Sequence, residues 1–357
     1  MDAEKVLVIG DTHFDNQYKG YLKAQIDTCY NLVRSSSPKS VIFLGDIFHH
    51  RHPNPEVVLE VLRLFRRLSL IPGLSEIDVL KGNHDSANKS DDGLTMLDVL
   101  EYPDSKTLVA SVDSWDYTRG FKFIPHFENE DYIIKSLKYE NPYKFPDNYI
   151  VFGHFGYDGC VETGQYFNFK VKKSDLTKRT ILGHIHKYSE DGNITILGTP
   201  WSTNFGESDY PHYVLELTRE SNKSEWEFKK IEVDFGVRHM VVPIGSLDIM
   251  KEEISNPKYF TLLRVILDKF NDETTNDLRS KILDEFKVKY VDLKFNPILN
   301  QKLDNRISDY VPSTKIDSLT DDVIDKYLEE QTSNLPKEVL KKGLEEIKLH
   351  ENSEIKG

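Results

Sequence analysis

The chain has 357 residues, of which 38% are hydrophobic and 29% are charged, and its formal net charge is −13 at pH 7. This length allows two domains and a large hydrophobic core, and the composition excludes a disordered, collagen-like or low-complexity chain. The acidic balance argues against adsorption of the whole surface to nucleic acid, although it leaves room for a local basic groove.

The sequence also lacks the features of a secreted or membrane protein. No run approaches the roughly 18 consecutive apolar residues of a membrane span, and the first residues lead into an apolar strand without a signal-peptide core. Two cysteines, Cys29 and Cys160, provide no disulfide framework. We therefore expect a cytoplasmic protein with no membrane segment.

Short apolar runs alternate with longer amphipathic segments over the first two hundred residues, which is typical of a sheet with crossover helices. In chain order the pattern predicts strands over 6–9, 41–44, 77–80, 121–124, 149–152, 180–182, 195–197, 213–217 and 226–233. Two helices, 21–34 and 55–67, are expected to face inward with Leu22, Ile26, Cys29 and Val33, and with Val58, Leu62 and Phe65, respectively. The predicted fold class is α/β, with a first domain over 1–236.

The remaining chain is expected to hold a smaller α/β domain over 237–300. Its pattern predicts a strand over 259–267, a helix over 275–286 and a strand over 288–295. Residues 301–357 are polar and predict a linker followed by two thinly apolar helices, 318–331 and 336–350. Such helices suit docking onto another protein, and packing on their own domain explains the pattern equally well.

Five polar motifs each follow a predicted strand. They are Gly-Asp-Thr-His at 10–13, Gly-Asp-Ile-Phe-His at 45–49, Gly-Asn-His-Asp at 82–85, Gly-His at 153–154 and Gly-His-Ile-His at 183–186. Because the carboxyl ends of strands meet in one crevice of an α/β sheet, these residues should form one site. The mixed Asp, Asn and His set suits Mn²⁺, Fe²⁺ or Zn²⁺ better than Mg²⁺. Each histidine alone is explained as a core or surface residue, but five such motifs together are not.

This set of motifs resembles the calcineurin-like metallophosphoesterase superfamily over about residues 1–205. The resemblance implies an αββα sandwich, here with the second small α/β domain as a cap and with C-terminal helices. Residues 45–53 and 198–207 are further similar to the SbcD-like DNA-repair nuclease branch, which includes the nuclease subunits of phage recombination endonucleases. Protein phosphatases of the superfamily instead carry Asp-Arg-Gly after the second motif and Glu after Asn-His, where this chain has His-His-Arg and Asp85.

The resemblance implies two metal ions, with Mn²⁺ expected and Mg²⁺ or another divalent metal as a substitute. One ion would be held by Asp11, His13, Asp46 and His186. The other would be held by Asp46, Asn83, His154 and His184. Asp46 would then bridge a pair of cations of the kind that, about 3.5–4 Å apart, lowers the pKa of a shared water and clamps a phosphate for in-line attack.

Three further residues are predicted to take part in catalysis. His84, beside Asn83, is the predicted general acid, because an imidazole can donate a proton to a leaving oxygen near neutral pH. Asp85 is expected to orient His84 or support it electrostatically. His49 matches the position in the nuclease branch that helps to handle the phosphate or the transition state.

Substrate contacts are less specific in the sequence. The segment 166–173 interleaves aromatic residues with lysines, which indicates either an edge that follows a nucleic-acid backbone or an amphipathic strand with a solvated lysine face. His50 and His52 are expected to face solvent, and His126 either supports the site or belongs to the core. Candidate DNA contacts in the second domain are Arg264, Lys281, Lys287 and Lys289.

These observations lead to the hypothesis of a Mn²⁺-dependent DNA exonuclease and endonuclease, acting as the nuclease subunit of a DNA repair and recombination complex. Because the chain has no phosphate-binding loop of the ATPase type, ATP dependence would come from an SbcC-like coiled-coil ABC-type ATPase docked on the C-terminal helices. The resemblance also implies a homodimer, 3′-to-5′ digestion of duplex DNA, and a bacterial or phage-infected host cytoplasm.

Two other functions stay open at this point. The first is a phosphodiesterase or phosphomonoesterase acting on small nucleotides or other phosphate esters with the same metals. The second is an architectural subunit that binds DNA ends without cutting them. The complete set of seven candidate ligands argues against the second, because a purely structural role does not require these residues together.

Overall fold

The computed structural model describes residues 4–101, 106–139, 148–162, 165–166, 168–220, 225–267 and 272–295. All of them belong to one compact unit. The predicted helices over 318–331 and 336–350 lie outside the described residues, and the domain boundaries at 236 and 300 stay predictions. Within the described ranges no helix is both long and apolar enough to cross a membrane.

The described chain contains seventeen strands and five α-helices. The strands are β1 (Glu4–Ile9), β2 (Ser40–Phe43), β3 (Glu76–Leu80), β4 (Thr107–Ala110), β5 (Ser114–Asp116), β6 (Phe121–Ile124), β7 (Ile150–His154), β8 (Val161–Glu162), β9 (Gln165–Tyr166), β10 (Arg179–Gly183), β11 (Ser189–Asp191), β12 (Ile194–Ile196), β13 (Tyr213–Arg219), β14 (Glu227–Glu232), β15 (Gly236–Pro243), β16 (Tyr259–Leu267) and β17 (Tyr290–Phe295). The helices are α1 (Tyr21–Ser36), α2 (Pro55–Ser69), α3 (Glu130–Lys138), α4 (Lys251–Ile254) and α5 (Asp272–Phe286).

Two six-stranded sheets form the centre of the fold. The first has the order β14-β13-β1-β2-β3-β4 and the second has the order β11-β12-β10-β7-β6-β5. The strands β1 to β4 run parallel, as do β6, β7, β10 and β12. Parallel strands are expected in sheets that are covered on both faces, and their near-continuous apolar runs reflect this burial.

The alternation of side chains along β1 shows the layers. Val6 and Val8 are buried with Phe121, Phe152 and Ile181 between the two sheets. The intervening residues of β1 are instead buried against α1 and α2 on the other face. Helix α3 packs against the outer face of the second sheet. This arrangement of helix, sheet, sheet and helix confirms the predicted αββα sandwich.

The two long helices differ in how well their faces were predicted. On α1 all four predicted inward residues are buried. On α2 the central buried row is Val57, Val61, Leu64 and Leu68, together with Phe65. The predicted residues Val58 and Leu62 are only half-buried, so the prediction for this helix was wrong by about one residue. An apolar stripe wider than 100° allows such an error, since residues on both sides of its centre are apolar.

A third sheet has the order β15-β16-β17 and is parallel. Its strands β16 and β17, with α5 between them in the chain, correspond to the predicted strand, helix and strand. Strand β15 was not predicted. Val237 and Leu262 of this sheet are buried in the same cluster as the inward face of α1. The small sheet therefore packs directly on the hydrophobic core beneath α1 and α2.

Arg119 links the two large sheets. It lies between β5 and β6, its side chain is 5% exposed, and its Nη1 lies 2.8 Å from Asp78 Oδ2 on β3. Glu76, at 3.3 Å, and Asp116 also pair with it. The backbone oxygen of Arg119 accepts a hydrogen bond of 3.2 Å from Trp226. A single buried guanidinium thus balances carboxylates that belong to both sheets.

We expect Arg119→Ala to lower the free energy of unfolding by about 3–5 kcal/mol, because the change leaves the buried Asp78 carboxylate without its partner. Urea denaturation at pH 7 measures the loss. The matched control is the double variant Arg119→Leu with Asp78→Leu, which removes both charges and should recover most of the stability. A loss below about 1 kcal/mol in Arg119→Ala would contradict this account.

Candidate metal centre

The carboxyl ends of five neighbouring strands supply the predicted metal ligands. In the first sheet, Asp11 and His13 follow β1, Asp46 follows β2 and Asn83 follows β3. In the second sheet, the remaining ligands lie at or after the ends of the paired strands β7 and β10. They are His154, His184 and His186. The structure thus brings all seven predicted ligands to one edge of the sandwich, as expected for strands that end together.

Tight loops hold these residues in place. His13, Asp46 and His184 have φ values of 44°, 47° and 85°, in the left-handed region that side chains rarely adopt. Gly82 allows the loops after β2 and β3 to touch, because a Cβ atom there would lie 2.1 Å from Asp46 Oδ1 and 2.3 Å from the Asp46 backbone nitrogen. The glycine is therefore needed for this close approach between the two loops.

One half of the site joins His13, His186 and Asp46. The Nε2 atoms of His13 and His186 are 3.0 Å apart, and Asp46 Oδ2 lies 3.6 Å from His13 Nε2. Ligand atoms about 2.0–2.2 Å from a shared ion are roughly 3–4 Å apart, so this spacing fits one cation. Asp11, the fourth residue predicted for this ion, instead contacts residues of the other half: it accepts hydrogen bonds of 3.0 and 3.1 Å from the backbone N–H of His184, and its Oδ1 lies 3.3 Å from His154 Nδ1.

The other half joins Asn83, His154 and His184. Asn83 Oδ1 lies 3.1 Å from His154 Nε2 and 2.9 Å from His184 Nδ1. Asp46 Oδ1 lies 3.4 Å from the same His154 nitrogen. The two oxygens of Asp46 therefore face different halves of the site, which is the arrangement a bridging carboxylate needs.

Hydrogen bonds outside the cluster fix the ring nitrogens of two histidines. His154 Nδ1 donates to the backbone oxygen of Leu44 at 2.7 Å, and His186 Nδ1 donates to Glu207 Oε1 at 2.7 Å. With a cation bound in place of a proton, each ring would present the lone pair of Nε2 to it. An outer acceptor of this kind sets the tautomer and raises the basicity of a metal-binding imidazole.

Burial and charge shift the pKa values in opposite directions within the cluster. Burial lowers the pKa of His13 well below its usual value and that of His184 to about 3, so both rings are neutral and ready to bind a cation. His154 is equally buried, yet the Asp46 carboxylate raises its pKa to about 9. Burial also raises the pKa of Asp11 to about 6, against the attraction of His154. A bound cation would take over the compensating role of the His154 proton.

His84 and His49 lie beside the ligands. The Nδ1 atom of His84 is 2.5 Å from the backbone oxygen of His49 and donates to it, which leaves Nε2 as the free nitrogen of the ring. The His84 ring lies 5.0 Å from that of His13, and the His49 ring lies 5.4 Å from it. Two imidazoles therefore face the cluster without belonging to the predicted ligand set, at positions where they can reach a bound phosphate.

Asp85 acts on this region through the backbone. Its carboxylate is fully buried and accepts hydrogen bonds from the N–H groups of Gly82, Ile47 and Phe48, at 2.9, 3.3 and 3.1 Å. Burial and the nearby Asp46 charge raise its pKa to about 7, against these hydrogen bonds. The described contacts of Asp85 thus tie the loop of His84 to the loop of His49, and its predicted support of His84 would be indirect.

Glu207 has no role predicted from the sequence, although it lies in the stretch that resembles the nuclease branch. Besides the bond from His186, the carboxylate accepts hydrogen bonds of 2.6 Å from the Thr203 backbone and 2.6 Å from the Asn204 side chain. Burial opposes ionisation of Glu207, but the hydrogen bond from His186 outweighs it and lowers the pKa. Because Glu207 lies 21 residues after His186, no local pattern in the sequence links the two residues.

We expect Glu207→Gln to weaken metal binding or activity about 10–100-fold, because the amide is a poorer acceptor for the His186 N–H. Titration with Mn²⁺ under calorimetry measures the affinity. Glu227→Gln, an exposed change on β14, is the matched control and should leave the affinity unchanged. An affinity equal to that of the wild type in Glu207→Gln would show that His186 does not depend on this carboxylate.

The remaining predicted positions differ in their surroundings. His50 and His52 are exposed, as expected. The His126 ring lies 6.2 Å from that of His154 and 6.0 Å from that of His184, at the edge of the site, and burial lowers its pKa to about 4. Its position favours a supporting role over a place in a distant core.

The basic segment over 166–173 reaches the site through Phe169, whose ring lies 5.8 Å from that of His184. Its lysines, however, pair with acidic residues. Lys170 lies 3.3 Å from Asp131 and Lys172 lies 2.9 Å from Asp158. Lys173 pairs with Asp191 at 2.5 Å. In this state the lysines are balanced by carboxylates, which weakens the prediction that they follow a nucleic-acid backbone.

The donor set, the 3.0–3.6 Å spacings and the shared Asp46 fit two divalent cations in the centre of the site. An α/β sandwich with such a centre at its strand ends is the framework of a metal-dependent phosphoester hydrolase. A model of the calcineurin-like phosphoesterase family matches residues 4–188, and the chain belongs to this family.

No curated protein matches the sequence. Among solved structures the chain is similar to nuclease MPE of Pseudomonas putida, with 13% sequence identity and a TM-score of 0.27, over 63% of this chain and 87% of that chain.

Proposed function

We propose that this protein is a two-metal phosphodiesterase that cuts DNA, with Mn²⁺ as its metal, and that it is the nuclease subunit of an SbcCD-like repair and recombination complex. The observation that carries the hydrolytic part is the placement of His84. This imidazole lies beside the metal ligands, is oriented by the His49 backbone oxygen, and keeps Nε2 free. A proton donor at this position is needed when the leaving group is an alkoxide, as in DNA.

The chain's own residues would divide the work of such a reaction. Asp11, His13, Asp46 and His186 would hold one cation, and Asp46, Asn83, His154 and His184 would hold the other. When bound, two divalent cations supply a nucleophile at neutral pH and neutralise charge on the phosphate. His49 would contact the phosphate, and His84, in its imidazolium form, would give its Nε2 proton to the leaving oxygen while its Nδ1–H stays on the His49 backbone oxygen.

The choice of DNA rests on the resemblance of 45–53 and 198–207 to the nuclease branch. Both stretches supply contacts at the site: the first contains Asp46 and His49, and the second contains Glu207, which holds His186. Arg51 of the first stretch donates to the Asn88 backbone oxygen at 3.0 Å and so joins two loops at the rim.

A second candidate is hydrolysis of small nucleotides or other phosphate esters by the same residues. The pairing of Lys170, Lys172 and Lys173 with carboxylates favours it, because these bases are not free to neutralise a polynucleotide. The net charge of −13 points in the same direction.

The deciding experiment compares a long linear DNA duplex with bis(p-nitrophenyl) phosphate, each in Mn²⁺, Mg²⁺ or EDTA. We expect Mn²⁺-dependent release of nucleotides from the duplex and no release in EDTA. Hydrolysis of the small diester without any cleavage of duplex or single-stranded DNA, with and without the co-purified partner, would overturn the nuclease proposal in favour of the second candidate.

The partner and the oligomeric state are part of the same proposal. Helices over 318–331 and 336–350 would dock an SbcC-like ATPase, and two copies of the chain would associate through their phosphoesterase domains. Deleting 318–350 should abolish capture of the ATPase in a pull-down and leave hydrolysis of the small diester unchanged. Light scattering should give twice the chain mass of 41.4 kDa; retained capture or a monomer mass would refute the respective claim.

A further inference from the structure

A second group of metal-ligating side chains lies at the rim of the site. It consists of Asp15, His49 and His50, whose ligand atoms all lie within 4.8 Å of one another. None of these residues belongs to the predicted ligand sets, and Asp15 and His50 have no predicted catalytic role either. A surface cleft of about 310 Å³ opens beside the group, between Gln17 and Pro53.

Two chain segments that run side by side create this group. The segment after β1 pairs with the segment after β2 through an isolated parallel bridge between Phe14 and Phe48. The His49 backbone N–H donates to Phe14 O at 3.2 Å, which places the residue after Phe14 next to His49. Asp15 and His49 therefore face each other because of the backbone pairing and not by a chance meeting of flexible side chains.

Asp15 is fixed further by Gln25 on α1. The Asp15 backbone N–H donates to Gln25 Oε1 at 3.0 Å, and Gln25 Nε2 in turn donates to His13 O at 3.1 Å. Gln25 is completely buried. The same amide thus positions a predicted ligand of the central site and the carboxylate of the rim group.

The charge of Asp15 is poorly compensated where it lies. The residue is 7% exposed, and within the described part of the chain its ion pair is with His50 Nε2 at 4.0 Å. That distance is too long for a hydrogen bond. The Asn16 backbone N–H donates to Asp15 Oδ1 at 2.8 Å. Buried carboxylates are normally paired closely or bound to a metal, so a cation between Asp15 and His50 would supply the missing compensation.

The spacing and the donor types agree with such a cation. Ligand atoms about 2.0–2.2 Å from one ion are roughly 3–4 Å apart, and the exposed His50 side chain, at 64%, can turn to close the remaining gap. Two imidazoles and one carboxylate form a set that binds Zn²⁺, Fe²⁺ or Mn²⁺ and leaves positions open for water or substrate oxygen.

We propose that Asp15, His49 and His50 bind a third divalent transition-metal ion, separate from the two of the central site. The ion would lie at the mouth of the 310 Å³ cleft and, through His49, next to the reaction centre. Its binding does not depend on which phosphoester the protein hydrolyses.

The test counts Zn²⁺ ions per full-length chain by equilibrium dialysis followed by elemental analysis. We expect His50→Asn to bind one Zn²⁺ fewer than the wild type at saturation, and Asp15→Asn with His50→Asn to show the same loss. Asparagine at 15 keeps an acceptor for the Asn16 N–H, and His50 is exposed, so neither change should unfold the chain. His52→Asn, an exposed neighbour, is the matched control and should bind as many ions as the wild type.

Equal Zn²⁺ counts in the wild type and both variants would overturn the proposal. So would a loss of one ion in His52→Asn, because it would indicate adventitious binding by surface histidines. Since the readout is the number of bound ions, a protein that fails to cut DNA would still decide the question. Failure of this site and failure of the nuclease proposal are therefore distinguishable.

Discussion

Replacing Asp46 by Asn should reduce hydrolysis of every substrate by about 10³-fold or more. Asp46 is the residue whose two oxygens face the two halves of the site, at 3.6 Å from His13 and 3.4 Å from His154. A neutral amide cannot neutralise two cations at once, and the metals are expected to supply several kcal/mol of transition-state stabilisation. Initial rates on bis(p-nitrophenyl) phosphate in Mn²⁺ measure the effect, with elemental analysis to show the loss of bound metal.

Asp46→Asn should leave the fold intact. Asparagine tolerates the left-handed backbone of position 46, and it keeps an oxygen to accept the His84 backbone N–H, now 2.8 Å from Asp46. Asp27→Asn, at a half-exposed position on α1 outside the candidate site, serves as the control and should retain full activity. If Asp46→Asn stays within tenfold of the wild type, Asp46 does not bridge the metals.

Replacing His84 by Asn should slow the cleavage of DNA by about 10²–10⁴-fold, the usual contribution of a general acid. The same variant should lose less than about tenfold on bis(p-nitrophenyl) phosphate, because nitrophenolate leaves without a proton. The reason lies in the position of His84, whose Nδ1 is engaged by the His49 backbone oxygen while Nε2 remains to donate. Rates measured in parallel on the two substrates give the ratio of the two losses, and a larger loss on DNA supports the role of His84 as general acid.

The number of bound metal ions distinguishes a general acid at position 84 from a metal ligand. His84→Asn should hold as many ions as the wild type, and His52→Asn should match the wild type on both substrates. An equal loss on DNA and on the nitrophenyl ester would mean that His84 acts on the ligands or the loop, and not on the leaving group.

The sequence predicted the main features of the fold because they depend on local patterns. All nine strands expected before residue 236 are present, since each is a short apolar run next to a turn. The convergence of the five motifs also followed from the rule that parallel strands end at one edge. Residues as distant as His13 and His186 could thus be placed together before any distance was known.

The missed features depend on long-range contacts or weak patterns. Strands β4 and β5 are short and lie at or near sheet edges, where Leu108 is exposed and the alternation is weak. Helix α3 buries little beyond Ile133, although Asn129 caps its first turn and could have signalled it. The roles of Glu207 and Gln25 could not be predicted, because each acts by a hydrogen bond to a residue from another element.

The left-handed backbone at His13, Asp46 and His184 also bears on how this protein responds to selection. Each such residue costs of order 1–3 kcal/mol relative to a glycine in the same conformation. The chain therefore gives up folding stability at three of the positions where its chemistry is placed, a trade between robustness and activity. A search for heat-resistant variants that ignored catalysis would be expected to recover glycine at these three positions, and so to yield sturdier but inactive proteins.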